Sequence, residues 1–396
     1  MLPRVIINFA NASLGRVTPS PDGVFGLLAT GVSVVNTFNL LTSYLVRSMD
    51  DVTKGLGITT ENNPGLYKVL SEFYAEAGDG TELWLRAFAD TVTMTQMVDS
   101  SIEANAKALL QDAGGRIRAL FVHRTPPVGY TEEVTSGYDA DVTTAITKAQ
   151  TLGEYATNSL KAPIFVVISG LYFQGSTTVD LREMTNNRVA VMIGDTVPGD
   201  GCAIGVLAGR LAKDPVHRNC GRVRSGALKP TVAYVGSTKV DTADITSLHD
   251  KGYITFRKHV GRAGYFFTDD PLATLPTDDY NGIAVRRVID KAYRLAYGVM
   301  LDETLEEITV NDAGQVSISY AKSVENRVEN AIVNSMTANG ELGNDPDDQN
   351  DTAVECLVDT DQNVVSTGKL VVGLRIKPVG YAKYIEVELG FKTITQ

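Results

Sequence analysis

The stretch PGLYKVLSEFYAEAGDGTELWLRAF, residues 64–88, joins a helix signal to a strand signal with almost no linker. Asn63 before Pro64 pairs a capping residue with a proline at the first helical position, where its missing N–H costs nothing. Leu66, Val69, Leu70, Phe73 and Ala77 then recur at helical spacing, and AGDG at 77–80 stops the helix. ELWLRAF (82–88) follows as a strand apolar on both faces, which places it inside a sheet.

Working outward, the same alternation continues. IRALFVHR (117–124), PIFVVISG (163–170) and RVAVMIGD (188–195) read as strands, and the segments near 95–112, 140–160 and 202–212 as helices. Alternation at these lengths predicts an α/β layer with at least partly parallel strands. YITFRKHV (253–260) and GYFFTD (264–269) give short strand signals divided by glycines. Val285, Val288, Ile289, Ala292, Leu295, Ala296, Val299 and Met300 make one helical stripe. Beyond it, Val316, Ile318 and Tyr320 alternate, then Val324, Val328, Ala331, Ile332 and Met336 form a helical stripe with Glu325, Arg327, Glu329 and Asn330 expected outward. Strand alternations at 354–358, 370–376 and 385–391 close the chain, around an acidic loop at 340–351. The fold class expected is α/β and α+β in two or three packed domains, since 396 residues exceed one simple core.

Charge and cysteine usage narrow the function classes. The net charge of −11 argues against non-specific nucleic-acid binding, which relies on cations neutralising phosphates, and against docking on anionic lipid. Cys202, Cys220 and Cys356 are odd in number and widely spaced, so no disulfide framework is implied. MLPRVIINF at the N-terminus lacks the long apolar core of a signal peptide, and Ala162–Leu171 is too short to span a bilayer. Synthesis in the cytoplasm is expected.

Enzyme chemistry finds little purchase. Gly199 to Gly205 follows a strand and opens a helix, where backbone N–H groups could cradle a phosphate, but the glycine spacing is not the dinucleotide fingerprint and no Lys-Ser/Thr follows. A tight turn with close helix packing is the simpler reading. His217 and Cys220 supply two ligands where zinc wants three or four, and His123, His249 and His259 are scattered. Asp269, Asp270, Asp278 and Asp279 flank a helix start, so capping accounts for Asp278 and Asp279. Asp345, Asp347, Asp348 and Asp351 lack calcium-loop spacing, and Arg286-Arg287 reads as a salt-bridged helix face. No catalytic, cofactor-binding or metal residue is assigned, and no cofactor is expected.

Both ends carry strand signals instead. Val5, Ile7 and Phe9 alternate between prolines, as do Ile385, Val387, Leu389 and Phe391 near the other end. A lone terminal strand is a liability in a monomer and a link when it joins a neighbour's sheet. Two such arms build an open polymer, because a heterologous contact that does not close yields a helical tube.

Four segments in order carry a family resemblance. They are NLLTSYLVRSMDDVTKGLGIT (39–59) with residues 64–88, AIGVLAGRLAKDPVHRNCGRVRSG (203–226), the span 248–294 with its Gly-divided strands and Arg286-Arg287 helix, and GEL (340–342) with GKLVVGLRIKPVGYAKYIEVELGF (368–391). Together they resemble the contractile phage tail sheath proteins. Phe266-Phe267-Thr268-Asp269 stands where the family has Trp-Gly-x-Arg-Thr, and the Trp and Pro-Ala-Asn of the second segment are missing, which marks a divergent branch. The resemblance implies a multi-domain tail-sheath fold: an N-terminal linking arm (1–20), the first part of the core (21–90), an outer α/β region (91–275), a mixed-sheet C-terminal module facing the tube (276–380) and a C-terminal linking arm (381–396). It further implies a helical homo-oligomer around an inner tail tube protein, with baseplate and tail terminator proteins as partners and no enzymatic activity. No nucleic-acid or direct membrane contact is implied. Val5, Ile7, Phe9, Ile385, Val387, Leu389 and Phe391 become the inter-subunit strands, with hinges near 13–23 and 378–380, and Glu325, Arg327, Glu329 and Asn330 the tube-facing candidates. The rivals are another tail structural component, or an α/β enzyme with a phosphate turn at Gly199 to Gly205.

Overall fold

The computed structural model describes residues 21–175, 178–348 and 350–389, so the N-terminal arm with Val5, Ile7 and Phe9, and Phe391, lie outside the described residues. The chain divides into two compact units, Met1–Tyr297 and Gly298–Gln396.

The first unit is built on a six-stranded sheet. Its strands are β1 (Phe25–Thr30), β2 (Ser43–Val46), β3 (Leu83–Phe88), β4 (Ala119–His123), β5 (Phe165–Ser169) and β6 (Val189–Met192). Their order is β2-β3-β1-β4-β5-β6, parallel throughout except that β2 runs antiparallel to β3. Every residue of β1, β4, β5 and β6 is buried, as expected of parallel strands covered on both faces. Strands from before and after residue 90 share this one sheet, so the expected division at 90/91 does not divide it.

Helix α1 (Pro64–Ala77) starts where the Asn-Pro signal placed it. The Asn63 side chain does not cap it, however. Its Oδ1 accepts from the Val32 N–H and its Nδ2 donates to the Val32 carbonyl, pinning the loop after β1. The single helix expected over 95–112 is two short ones, Met94–Val98 and Ala108–Asp112, joined by a π-helical turn at Glu103–Lys107. The break falls at Asp99, whose carboxylate accepts from the backbone and hydroxyl of Ser101 and so competes with the helix. Helix α2 (Ala140–Asn158) packs on β5, and α3 (Ile204–Lys213) packs along α1. Gly205 and Gly209 permit that approach, because a Cβ at either would overlap the Val69 or Phe73 carbonyl oxygen of α1. The sequence pattern points to Gly205 alone, and its partner one turn on carries no comparable signal. The glycine-divided strand signals form the hairpin Phe256–Arg257 with Phe266–Phe267.

Helix α4 (Ile283–Asp302) crosses the boundary between the units. Its expected apolar stripe is only partly covered: Val288 and Ala292 are buried, but so are Arg286, Arg287 and Asp290. Asp290 accepts from Arg188 (3.0 Å) and from Arg286 (3.1 Å), so a charged face turns inward because each charge finds a partner. Asp278 and Asp279 do not cap this helix. The side chain of Asp270 reaches the Ala284 N–H (2.8 Å), while Asp278 closes its own turn at the Tyr280 N–H.

In the second unit, Ser317 caps α5 (Ile318–Ser335) by accepting from the Tyr320 N–H. That cap overrides the strand alternation read at Val316, Ile318 and Tyr320. The strands β7 (Val354–Val358) and β8 (Val372–Ile376) pair antiparallel, with Cys356 opposite Leu374.

Candidate assembly site

The C-terminal unit holds most of the predicted site residues. In the β7–β8 pair, the Asp359 N–H donates to Val371 and the Lys377 N–H to Ala353, each at 2.9 Å. Odd-numbered residues of β7 therefore face β8, and Val354, Cys356 and Val358 turn their amides to the outer edge. Helix α5 lies along that edge. The Cys356 N–H donates to Glu329 Oε1 and the Val358 N–H to Glu325 Oε1, both at 2.9 Å. The fit is geometric: helix residues four apart rise about 6 Å, and strand residues two apart about 6.8 Å. Lys322 donates to the second oxygen of Glu325 at 2.6 Å. Burial pushes the Glu325 carboxyl up, but Lys322 and the Val358 amide outweigh it and hold it below its ordinary range.

This corrects the expected outward set. Glu325 is buried and Glu329 half-buried, both turned to β7, while Arg327 and Asn330 are exposed. Arg327 is ion-paired with Glu303. Helical periodicity identifies the apolar stripe Val324, Val328 and Ile332 correctly, but it is blind to a strand edge beside that stripe, which draws flanking carboxylates inward.

The outer edge of β8 is different. Val372, Leu374 and Ile376 point their amides away from β7, and no hydrogen-bond partner for them stands among the described residues. The C-terminal arm forms no strand over residues 381–389, against expectation, and Ile385, Val387 and Leu389 are 78–96% exposed. Within the described residues this segment pairs with no strand. Ahead of it, Pro378 bridges to Leu342, so the hinge expected at 378–380 is tethered at its first residue. In the first unit, Asp22 is gripped by Lys291 and Arg294 at 2.7 Å each, and residues 13–20 of the other expected hinge lie outside the described residues.

The enzyme-like features resolve into structure. The Gly199 to Gly205 stretch does run into α3, but the chain's own Asp195 carboxylate lies against Gly201. Asp195 accepts from Lys68 Nζ at 2.5 Å and from the Thr196 N–H at 2.6 Å, and Glu72 completes the cluster through Lys68. An incoming phosphate would meet two carboxylates there. Cys220 donates to the Asp269 carbonyl, and burial raises its thiol well above the ordinary range. Cys202 is likewise pushed up to about 12 by burial. Neither has thiolate character, and among the described residues no cluster of metal-ligating side chains occurs. His123, at the end of β4, is buried beside Ser169 and pushed down to about 4 by burial and then by Lys68. No described helix is long and apolar enough to cross a membrane.

Comparison with known proteins also divides the chain in two, but ahead of helix α4 and not within it. The model described as DUF2586, N-terminal domain, matches residues 2–271, and that described as DUF2586, C-terminal domain, matches residues 279–395. No curated protein matches. Among solved structures, a chain of the anti-feeding prophage helical sheath in its contracted state is 15% identical, with 98% of this chain and 99% of that one covered at a TM-score of 0.65. The contracted sheath complex of an extracellular contractile injection system, PVC, gives 16% identity, coverage of 98% and 97%, and a TM-score of 0.59. A sheath tail protein of Listeria innocua gives 11%, 92% and 93%, and 0.54. The chain belongs to the DUF2586 family and carries, over nearly its whole length, the fold of contractile tail sheath proteins.

Proposed function

We propose that this protein is the sheath subunit of a contractile phage tail or phage-tail-like injection particle. It polymerises helically around an inner tube and contracts to drive that tube through a target cell envelope. The observation that carries this reading is likeness over 98% of the chain to sheath subunits solved in contracted particles. A role as a structural subunit without turnover agrees with the inert cysteines and the internally occupied glycine turn. Partners are further copies of the chain, the tube protein, the baseplate and the tail terminator.

The linking elements are residues 4–9 and 383–392, each entering a neighbour's sheet as a strand. Main-chain hydrogen bonds can persist there while the bodies of the subunits swing, which is what a contracting lattice requires. The exposed apolar side chains of Ile385, Val387 and Leu389, and the unoccupied edge of β8, support this assignment. The region 91–275 supplies the outer surface and the C-terminal module faces the tube, where Arg327 and Asn330 remain the exposed candidates on α5.

Negative-stain electron microscopy across a concentration series tests the function. Hollow, helically striated tubes are expected from the purified full chain, and none from a folded chain lacking residues 1–12. Wild-type tubes from that deletion would sink the N-terminal arm.

A further inference from the structure

We propose that Glu325 and Glu329 determine the specificity of assembly: they close the outer edge of β7, so that a strand from a second copy of this chain joins the unit only along β8. The proposal rests on the strand-linking reading above and adds a direction to it.

A two-stranded sheet has two outer edges, and each is a template for a further strand. A subunit that accepted the same strand at either edge would have no unique lattice. Here the edges are treated unequally. On β7, the Cys356 and Val358 amides are occupied by carboxylates at 2.9 Å, in the positions where a neighbouring strand's carbonyls would sit. The Thr352 hydroxyl covers the Val354 carbonyl at the start of the same edge. The carboxylates arrive from α5 at i and i+4, which matches the two-residue repeat of the amides, so both bonds form without distorting helix or strand. Ionised acceptors make these bonds stronger than those of a peptide carbonyl, and an arriving strand would have to displace both. On β8 no side chain of the described residues plays this part, and the edge amides of Val372, Leu374 and Ile376 remain available.

Two double variants of the full chain test the proposal. Glu325→Ala/Glu329→Ala removes both acceptors, whereas Glu325→Gln/Glu329→Gln keeps an oxygen for each amide. Hydrogen exchange at Cys356 and Val358 is expected to be about tenfold faster in the alanine pair and near wild type in the glutamine pair. In electron micrographs the alanine pair should lose the single polymer form and give branched or laterally fused assemblies, which the glutamine pair should not. Faster exchange with wild-type polymers would overturn the proposal, and so would unchanged exchange. If the alanine pair does not fold, Glu329→Ala alone reads the Cys356 amide and the polymer form. Fast exchange with fused assemblies then supports the closed edge, and either wild-type polymers or unchanged exchange overturns it. A chain lacking residues 381–396 keeps the two failures apart. Normal tubes from it would remove the C-terminal link, while exchange at Cys356 and Val358 would still report whether the edge is closed.

Discussion

The two units of this chain solve the burial problem in opposite ways. Met1–Tyr297 holds a mainly parallel sheet whose strands β1, β4, β5 and β6 are wholly buried, and inward charges there are matched, as in Arg210–Glu76 and Arg188–Asp290. Gly298–Gln396 buries Val316, Ala321, Val324, Val328, Ile332, Cys356 and Val358 around two strands, and it leaves Val365, Tyr384, Ile385, Val387 and Leu389 exposed. A two-stranded sheet is marginal without further cover. The first unit therefore covers its sheet with its own sequence, whereas the second leaves an apolar row and a strand edge uncovered among the described residues.

The comparison is most severely tested at the Arg210–Glu76 pair, where both side chains are only 2% exposed. Arg210→Met leaves a buried carboxylate uncompensated and should cost about 4 kcal/mol, read by chemical denaturation. A loss below about 1 kcal/mol would mean that matched charge does not hold α1 to α3.

Acid probes the same unit through His123. The folded-state pKa lies near 4, below the ordinary 6.5, so the unfolded chain binds the proton first. Stability from this group is present above about pH 6.5 and is lost as pH falls toward 4, by up to about 3 kcal/mol. Melting His123→Gln across that window should remove part of the slope. An unchanged slope would assign acid sensitivity elsewhere.

In the small core, Val324→Ala removes a fully buried side chain and should cost about 2 kcal/mol, felt in the second unit's amides by hydrogen exchange and not in the sheet of the first. Equal loss in both units would erase the contrast. The smallest stability effect belongs to Ile385→Ser/Val387→Ser. Exposed side chains contribute within about 0.5 kcal/mol, yet this pair should abolish tubes. Wild-type tubes would show that the C-terminal apolar row is not an interface.

Legibility differs in the same sense as the units. The strands at 119–123, 165–169 and 189–192 and the helix from Pro64 are readable because continuous apolar runs and an Asn-Pro start are local signals. The break in the helix at 95–112 is not, because Asp99 and Ser101 close a competing turn inside an apolar stretch. On α4 and α5 periodicity identifies a helix but misassigns a face, since Arg286, Asp290, Glu325 and Glu329 are drawn inward by partners that periodicity does not register, most of them distant in sequence.

The sequence by itself determined the α/β alternation, the early helix and the apolar rows near both ends, because each depends on neighbours within a few residues. Only the tertiary structure decided which charges turn inward, that Asp195 fills the glycine turn, and that α5 closes one edge of β7. Those outcomes depend on which distant groups meet, because a polar side chain is buried only where a partner compensates its lost hydration.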